Sequence, residues 1–172
     1  MLQRMRADGQ AFAALVKKHQ AMVFSIAWNY LHNEALAEDI AQEAFLELHR
    51  RLPQIESDLH ATNFLRKVAA HRSMDEGRRR RSHPQVAIAD IAEPAALPRR
   101  ADPLLEGALS RLVNSLPDRS RMIVILRYQE DLDPAEIAAV LDIPLGTVKS
   151  NLHRALLVLR KRMQRKWKGA VQ

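Results

Sequence analysis

Apolar side chains recur at three- and four-residue steps along most of this chain, which is the spacing of amphipathic helices. Three such stripes occupy the first half: residues 12–30, residues 37–48, and a third that begins near residue 64. The third stripe fades into the arginines at 78–81. Period-two alternation, which predicts strands, is scarce. The pattern therefore predicts an all-α protein whose first half is a three-helix domain.

The second half carries four further helical stripes. The first covers residues 105–116, and Pro117 suits the first turn of the next helix. Asp133 is placed to act as an N-cap, with Glu136 three residues later completing a capping box. The last helix is expected to start near residue 146 and to end at about residue 165.

Proline interrupts the helical pattern between these halves. Four of the eight prolines fall within residues 83–103, and each removes a backbone donor and disfavours helix at the preceding residue. We predict two small helical domains, residues 1–82 and residues 104–172, joined by a flexible linker at residues 83–103.

Composition narrows the function classes. The chain has 27 Lys and Arg against 20 Asp and Glu, a net charge of +7 that favours a polyanionic partner, with nucleic acid first. The absence of cysteine excludes disulfide scaffolds, cysteine-ligated zinc, iron–sulfur clusters and thiol catalysis. No apolar run reaches the roughly 20 residues needed to span a bilayer, and no signal peptide is evident. We expect a cytoplasmic protein that uses no cofactor and no metal and does not insert into a membrane.

The charges are segregated along the chain. Residues 145–172 contain eight basic side chains and no acidic one, whereas residues 34–48 contain five acidic side chains and no Lys or Arg. Opposite segments of this kind in one small protein suggest two different partners.

Residues 134–153 have the spacing of a helix-turn-helix. Ile137 and Leu141 face inward from a short helix, residues 142–146 make the turn, and Val148 begins the inward face of the next helix. The exposed positions of that helix carry side chains suited to base edges and phosphates, namely Lys149, Ser150, Asn151, His153 and Arg154. An ordinary helical hairpin with a solvated basic face is the alternative, but the turn chemistry and the missing acids favour DNA binding.

The second predicted helix carries an extra stripe beside its core stripe. Its members lie at three- and four-residue steps on one side: Asp39, Gln42, Glu43 and Leu46. An exposed leucine framed by acids is typical of a partner-binding face. Periodicity alone allows a plain solvated acidic face equally well.

The third predicted helix carries a basic stripe. Arg66, Lys67, His71 and Arg72 recur at helical steps, and the arginines at 78–81 follow. Basic groups track phosphates, while polar and aromatic groups hold unstacked bases, so this helix is a candidate for contact with melting DNA. A solvated helix end that leads into the linker is the alternative.

Short motifs of the second half resemble region four of bacterial RNA polymerase sigma factors. They are Leu116-Pro117-Asp118, Arg121, Leu126-Arg127-Tyr128, Glu136-Ile137-Ala138 and Leu145-Gly146-Thr147-Val148-Lys149-Ser150. The resemblance covers residues 105–163 and implies recognition of the minus-thirty-five promoter element. The implicated residues are Thr147, Lys149, Ser150, Asn151, His153 and Arg154.

Within that set we expect Arg154 to read a base and Lys149 to contact the DNA backbone. Asn151 stands where the family commonly has a basic residue, and asparagine pairs best with adenine, so Asn151 is expected to be a third reader. Asp142 stands where the family usually has glycine, and aspartate tolerates a left-handed turn acceptably.

The segment Glu38-Asp39-Ile40-Ala41-Gln42-Glu43-Ala44-Phe45-Leu46 is similar to the signature of sigma region two. The resemblance implies that this helix grips a coiled-coil clamp on the largest subunit of core RNA polymerase through Asp39, Gln42, Glu43 and Leu46. It also implies that the loop at residues 55–61 holds a flipped base of the minus-ten element and that the next helix contacts the melting duplex. Phe64 stands where the family usually has tryptophan. The implicated minus-ten residues are Ser57, Asp58, His60, Arg66, Lys67, His71, Arg72, Arg78 and Arg79.

With regions two and four alone, the architecture resembles the extracytoplasmic-function class of sigma factors. The predicted function is therefore binding to core RNA polymerase and promoter-specific initiation, with recognition of both promoter elements and assistance to melting. The implied partners are core RNA polymerase, double-stranded promoter DNA, its melted single strand, and an anti-sigma factor or other regulator.

Two other classes of function stay open. A repressor or activator would use the helix-turn-helix without polymerase, but it leaves the acidic Leu46 face unexplained. A sigma-like interaction module would occupy polymerase or an inhibitor without recognising promoters. An enzyme is not expected, because the seven histidines show no metal-ligand spacing and no glycine-rich phosphate loop is present.

Overall fold

A computed structural model describes residues 2–83 and 103–169, with side chains described over 9–83 and 107–165. The chain divides into two compact units, residues 1–92 and residues 93–172. Residues 84–102 of the predicted linker lie outside the described part, so its flexibility stays a prediction. The prediction of an all-α fold is confirmed, since every regular element in the described residues is helical. No helix there is long and apolar enough to cross a membrane.

The first unit is a three-helix bundle, as predicted. It consists of α1 (Leu2–Leu31), α2 (Glu34–Arg51) and α3 (Asp58–Ser82), with a short 3-10 turn at Leu52–Gln54. Each helix packs against the other two. The bundle buries Val23, Ile26, Ala27, Tyr30, Ala37, Ile40, Ala44, Phe45, Leu48, Ala61, Leu65, Val68, Ala69 and Ala70.

A glycine allows α1 and α3 to approach closely. A Cβ built on Gly77 would lie 2.8 Å from Cε1 of Tyr30, a separation that real Cβ atoms do not adopt. Tyr30 is itself buried, so its ring has little room to move. The sequence pattern did not identify this contact, because the apolar stripe of α3 had already weakened at this point.

The start of α3 differs from the prediction. The helix begins at Asp58 rather than near residue 64, so most of the expected loop at residues 55–61 is helical. Ser57 is the N-cap, and its Oγ accepts a hydrogen bond of 3.1 Å from the backbone N–H of His60. The helix also continues through the arginines at 78–81 instead of fading there.

The second unit contains α4 (Pro103–Asn114), α5 (Asp118–Tyr128), α6 (Pro134–Leu141) and α7 (Leu145–Gly169). Pro117 occupies the N-cap of α5 rather than its first turn, a shift of one position. Helix α7 packs against the other three helices. One cluster of this core consists of Leu116, Val124, Ala155 and Leu159, with Leu112, Val113 and Leu152 packed against it.

Candidate polymerase and promoter-DNA interfaces

The helix-turn-helix is fixed by its caps. Asp133 Oδ1 accepts hydrogen bonds from the N–H groups of Ala135 (2.7 Å) and Glu136 (2.8 Å), while Glu136 Oε2 accepts one from the Asp133 N–H (2.8 Å). This is the predicted capping box. At the other end of α6, Asp142 adopts the left-handed conformation, with φ 52° and ψ 46°, so the tight turn forms without glycine.

The first turns of α7 present a polar surface. Val148 is fully buried, whereas Lys149, Ser150, His153 and Arg154 are exposed, as the helical spacing predicted. Thr147 is half-buried. Arg154 Nε donates a hydrogen bond of 3.2 Å to the carbonyl of Ser150. The guanidinium is thereby held against the helix, and its Nη groups remain available for DNA.

Asn151 is less exposed than these neighbours, so the predicted exposure of its side chain was wrong, whereas its predicted contact with a base stays a prediction. The residue is half-buried, and both ends of its amide bond within the protein. Nδ2 donates to the carbonyl of Thr147 at 2.8 Å, and Oδ1 accepts from Ser120 Oγ of α5 at 3.2 Å. The spacing along α7 could not show this contact, because Ser120 is distant in sequence.

The acidic stripe of α2 forms a solvent-facing surface, which we call the acidic α2 face: Asp39, Gln42, Glu43 and Leu46. All four residues are exposed, and Leu46 keeps 58% of its surface accessible. Ile40, Ala44 and Phe45 are buried on the other side of the helix. A large apolar side chain is therefore exposed to water next to Glu43, although the core side of α2 is buried.

One arginine connects the acidic α2 face with the basic stripe of α3. Arg72 Nε lies 3.6 Å from Glu43 Oε2, and Arg72 Nη2 lies 3.7 Å from Glu47 Oε2. Glu47 also pairs with Arg51 at 3.4 Å, and the Arg51 guanidinium lies 5.3 Å from the centre of the Phe64 ring. The predicted polymerase-binding and minus-ten-binding residues thus meet at the ion pair between Glu43 and Arg72.

The start of α3 is held against α1 by an acid that was predicted to contact DNA. Asp58 Oδ2 lies 2.6 Å from Lys18 Nζ, and its Oδ1 lies 3.2 Å from Nε2 of the buried His19. The hydrogen bond from Lys18, and then the contact with His19, lower the pKa of Asp58 below its ordinary value. Ser57 and Asp58 are therefore occupied in positioning α3, while His60 beside them is exposed.

The remaining basic residues of α3 differ in exposure. Lys67 is exposed, whereas Arg66 and His71 are half-buried, and Arg66 Nε is buried without a hydrogen-bond partner among the described residues. Arg78 and Arg79 are exposed, but each forms an ion pair within the helix. Arg78 Nη1 lies 3.4 Å from Asp75 Oδ1, and Arg79 Nε lies 2.8 Å from Glu76 Oε2. The hydrogen bonds that Arg79 donates to the Glu76 carboxylate raise the pKa of Arg79 above its ordinary value.

The structure thus combines a three-helix unit that has an exposed acidic α2 face with a second unit that contains a helix-turn-helix. The family model for sigma-70 region 2 matches residues 15–83, and that for sigma-70 region 4 matches residues 106–159. The ECF RNA polymerase sigma-E factor of Escherichia coli (strain K12) is 30% identical over 174 residues, which cover 92% of this chain and 90% of that protein. The chain belongs to the extracytoplasmic-function (ECF) family of RNA polymerase sigma factors.

Other relatives agree with this assignment. The ECF sigma factor SigW of Bacillus subtilis (strain 168) is 29% identical over 172 residues and covers 92% of each chain. Among solved structures, the sigma factor RpoE of Bartonella quintana, in complex with the anti-sigma factor NepR, aligns with a TM-score of 0.71 at 19% identity, covering 90% of this chain and 98% of that one. CnrH, solved with the cytosolic domain of CnrY, aligns with a TM-score of 0.68 at 20% identity. The alignment covers 91% of this chain and 89% of CnrH.

Membership in this family confirms the predicted function. The protein associates with core RNA polymerase and directs promoter-specific initiation of transcription, recognising minus-thirty-five and minus-ten elements and assisting promoter melting.

Proposed function

We propose that the acidic α2 face is the surface through which this sigma factor binds core RNA polymerase. The observation that carries the proposal is the exposure of Leu46 on the same side of α2 as Asp39 and Glu43, about one turn beyond Glu43. Burial of an apolar centre supplies affinity, and surrounding charges supply orientation and partner choice. The complementary surface is therefore basic, with an apolar contact at one end.

We propose that α3 contacts the minus-ten element and the melting duplex. Its basic stripe consists of Arg66, Lys67, His71 and Arg72, continued by Arg78 and Arg79, with His60 at the start of the helix. Ser57 and Asp58 act indirectly, because they cap and anchor the first turn of α3. Flipping a base costs a few kcal/mol, so a firmly held first turn limits the additional cost of ordering protein groups.

We propose that the first turns of α7 recognise the minus-thirty-five element from the major groove. The groups that face solvent there are Lys149, Ser150, His153 and Arg154, with Thr147 at their edge. Arg154 contacts a base edge, because arginine pairs bidentately with guanine, and Lys149 contacts a phosphate. No acid follows on α7, so nothing on the helix itself offsets its attraction for DNA.

We propose further that the promoter-element domains occupy residues 1–82 and 104–172, with residues 83–103 as the tether between them. The protein acts in the cytoplasm as a subunit of polymerase rather than as a catalyst in its own right. An anti-sigma factor controls it. Support for this last point comes from the related folds of RpoE and CnrH, which were solved with NepR and with the cytosolic domain of CnrY.

Run-off transcription with purified core polymerase tests the assignment of the acidic α2 face. Wild-type protein is expected to give promoter-dependent transcripts, and the double variant Asp39→Lys with Glu43→Lys is expected to give none at the same concentration. Glu34→Lys is the matched control, since it reverses an exposed charge on a different side of α2. Equal transcription by the double variant and the control would contradict the assignment.

A further inference from the structure

Two polar side chains connect the promoter-reading helix to the core of its unit. Ser120 lies on α5 and is only 7% exposed. Its Oγ donates a hydrogen bond of 3.2 Å to Oδ1 of Asn151, and Nδ2 of Asn151 donates one of 2.8 Å to the carbonyl of Thr147. The Asn151 amide thus joins α5 to the first turn of α7.

This arrangement competes with base recognition. An asparagine that reads adenine uses both ends of its amide at once, since Oδ1 accepts from N6 and Nδ2 donates to N7. In this protein the same two atoms bond to Ser120 and Thr147. Turning the amide toward DNA would leave the buried hydroxyl of Ser120 without its acceptor, which carries a desolvation cost.

Unlike Asn151, the neighbouring side chains on α7 point toward solvent and keep hydrogen-bonding groups available for DNA. Ser150 and Arg154 are exposed. The bond from Arg154 Nε to the Ser150 carbonyl uses only one donor of the guanidinium. The Nη groups, which form the bidentate fork, remain available for a base edge. Exposure and hydrogen bonding therefore separate a residue that can read DNA from one that supports the helix.

We propose that Ser120 and Asn151 are positioning residues that fix the first turns of α7 against α5, and that Asn151 contributes no base preference. The inference rests on the proposed recognition of DNA by α7. It assigns promoter specificity to the exposed groups, chiefly Arg154, and assigns to Ser120 and Asn151 the orientation from which those groups act. Loss of the bond therefore weakens binding to every upstream sequence alike.

The test is transcription by reconstituted holoenzyme from a promoter library whose upstream element is randomised. Ser120→Ala, Asn151→Ala and the double variant are compared with wild type. Each single variant is expected to lower transcription about three- to tenfold across all sequences, the range of one neutral hydrogen bond. The double variant is expected to lose no more than Asn151→Ala alone, because Asn151→Ala already removes the bond to Ser120. The sequence preference at every position should match that of wild type.

Two controls make the result interpretable. Ser73→Ala removes another buried hydroxyl, one that bonds to the Ala69 carbonyl of its own helix, and it should leave the promoter profile and yield unchanged. Arg154→Ala should flatten the preference at one position. If Arg154→Ala flattens none, then the proposed recognition by α7 fails, whatever the other variants show.

Three results would overturn the inference while the control with Arg154→Ala behaves as expected. The first is a preference lost at one position in Asn151→Ala, which would make Asn151 a reader. The second is additive losses in the double variant, which would mean that the two residues act separately. The third is unchanged yield in either single variant. Circular dichroism and melting temperature verify that all variants are folded.

Discussion

Helices α3 and α7 arrange their basic residues in opposite ways. The bases of α3 pair with acids: Arg72 pairs with Glu43 and Glu47 of α2, and Arg79 pairs with Glu76. Residues 145–172, which begin with α7, carry eight basic side chains and no acid. The positive charge of α7 is therefore not offset by acids of the same helix, whereas the DNA contacts that we propose for α3 would replace carboxylate partners with phosphates.

This difference predicts that α3 and α7 contribute differently to DNA affinity. An ion pair that already exists in the free protein offsets part of the gain from a phosphate contact, so we expect α3 to contribute less affinity for duplex DNA than its charge suggests. The ion pair between Arg72 and Glu43 places α3 beside the face that we propose to bind polymerase. Helix α7 needs no such exchange, so we expect sequence recognition and electrostatic attraction to coincide there.

The largest expected effect concerns the acidic α2 face. Reversing Asp39 and Glu43 to lysine places like charges against a basic partner surface, and charges at the centre of an interface are worth about 2–5 kcal/mol. Affinity for core polymerase should fall by that amount, measured by titration of labelled protein, while Glu34→Lys binds normally. Because Glu43 also contacts Arg72, helicity and melting temperature are measured in parallel. If the double variant binds core polymerase with undiminished affinity, the acidic α2 face is solvated surface and does not bind polymerase.

The next effect concerns promoter specificity. Arg154→Ala should cost about 1–3 kcal/mol of discrimination at one position of the minus-thirty-five element, because it removes a bidentate base contact. Binding to core polymerase should be unchanged. Competition between the preferred element and single-base variants measures the loss. A uniform loss over all sequences would contradict a base contact by Arg154 and, with it, the proposed sequence recognition by α7.

A smaller effect concerns the salt dependence of DNA binding, which should differ between a variant in α7 and a variant in α3. Lys149→Ala should reduce the slope of log K against log salt concentration by about 0.9, the contribution of one phosphate contact. Arg79→Ala should reduce it less, since Glu76 already neutralises this guanidinium in the free protein. Holoenzyme binding to promoter duplex over a salt series provides both slopes. Equal reductions would mean that the ion pairs of α3 do not moderate DNA contact.

The smallest effect concerns the anchor of α3. Lys18 and His19 hold the folded-state pKa of Asp58 below its ordinary value of 3.8, so the ionised carboxylate stabilises the fold. That contribution is present above the unfolded-state pKa and is lost as the pH falls through the lower, folded-state value. Wild type should therefore melt above Asp58→Asn at neutral pH, and the gap should close in strong acid. If the difference in melting temperature does not change with pH, the effect of Asp58 arises from packing or capping and not from its charge.

The sequence predicted what depends on local periodicity. The helices, the buried Ile40–Phe45 side of α2, the exposure of Leu46 and the capping box of Asp133 all follow from spacing within one segment. The early start of α3 was missed although Ser57 followed by Asp58 is a readable N-terminal signal.

Contacts between segments could not be predicted in the same way. Asp58 meets Lys18, Arg72 meets Glu43, and Ser120 meets Asn151, and each pair joins two helices whose relative rotation is set by packing. These contacts decide which polar residues remain available to a partner. The exposed role expected for Asn151 failed for this reason, since helical spacing shows only which face a residue shares with its neighbours.

If polymerase binding resides on the acidic α2 face and upstream-element recognition on α7, as we propose, the two functions are separable by mutation. The measurement is the transcript profile from a randomised upstream element, collected with the Asp39→Lys, Glu43→Lys double variant at concentrations that restore measurable yield and with Arg154→Ala. We expect a low yield with the wild-type profile for the double variant, and the loss of base preference at one position for Arg154→Ala. A changed profile in the double variant, or an unchanged one in Arg154→Ala, would contradict this proposal.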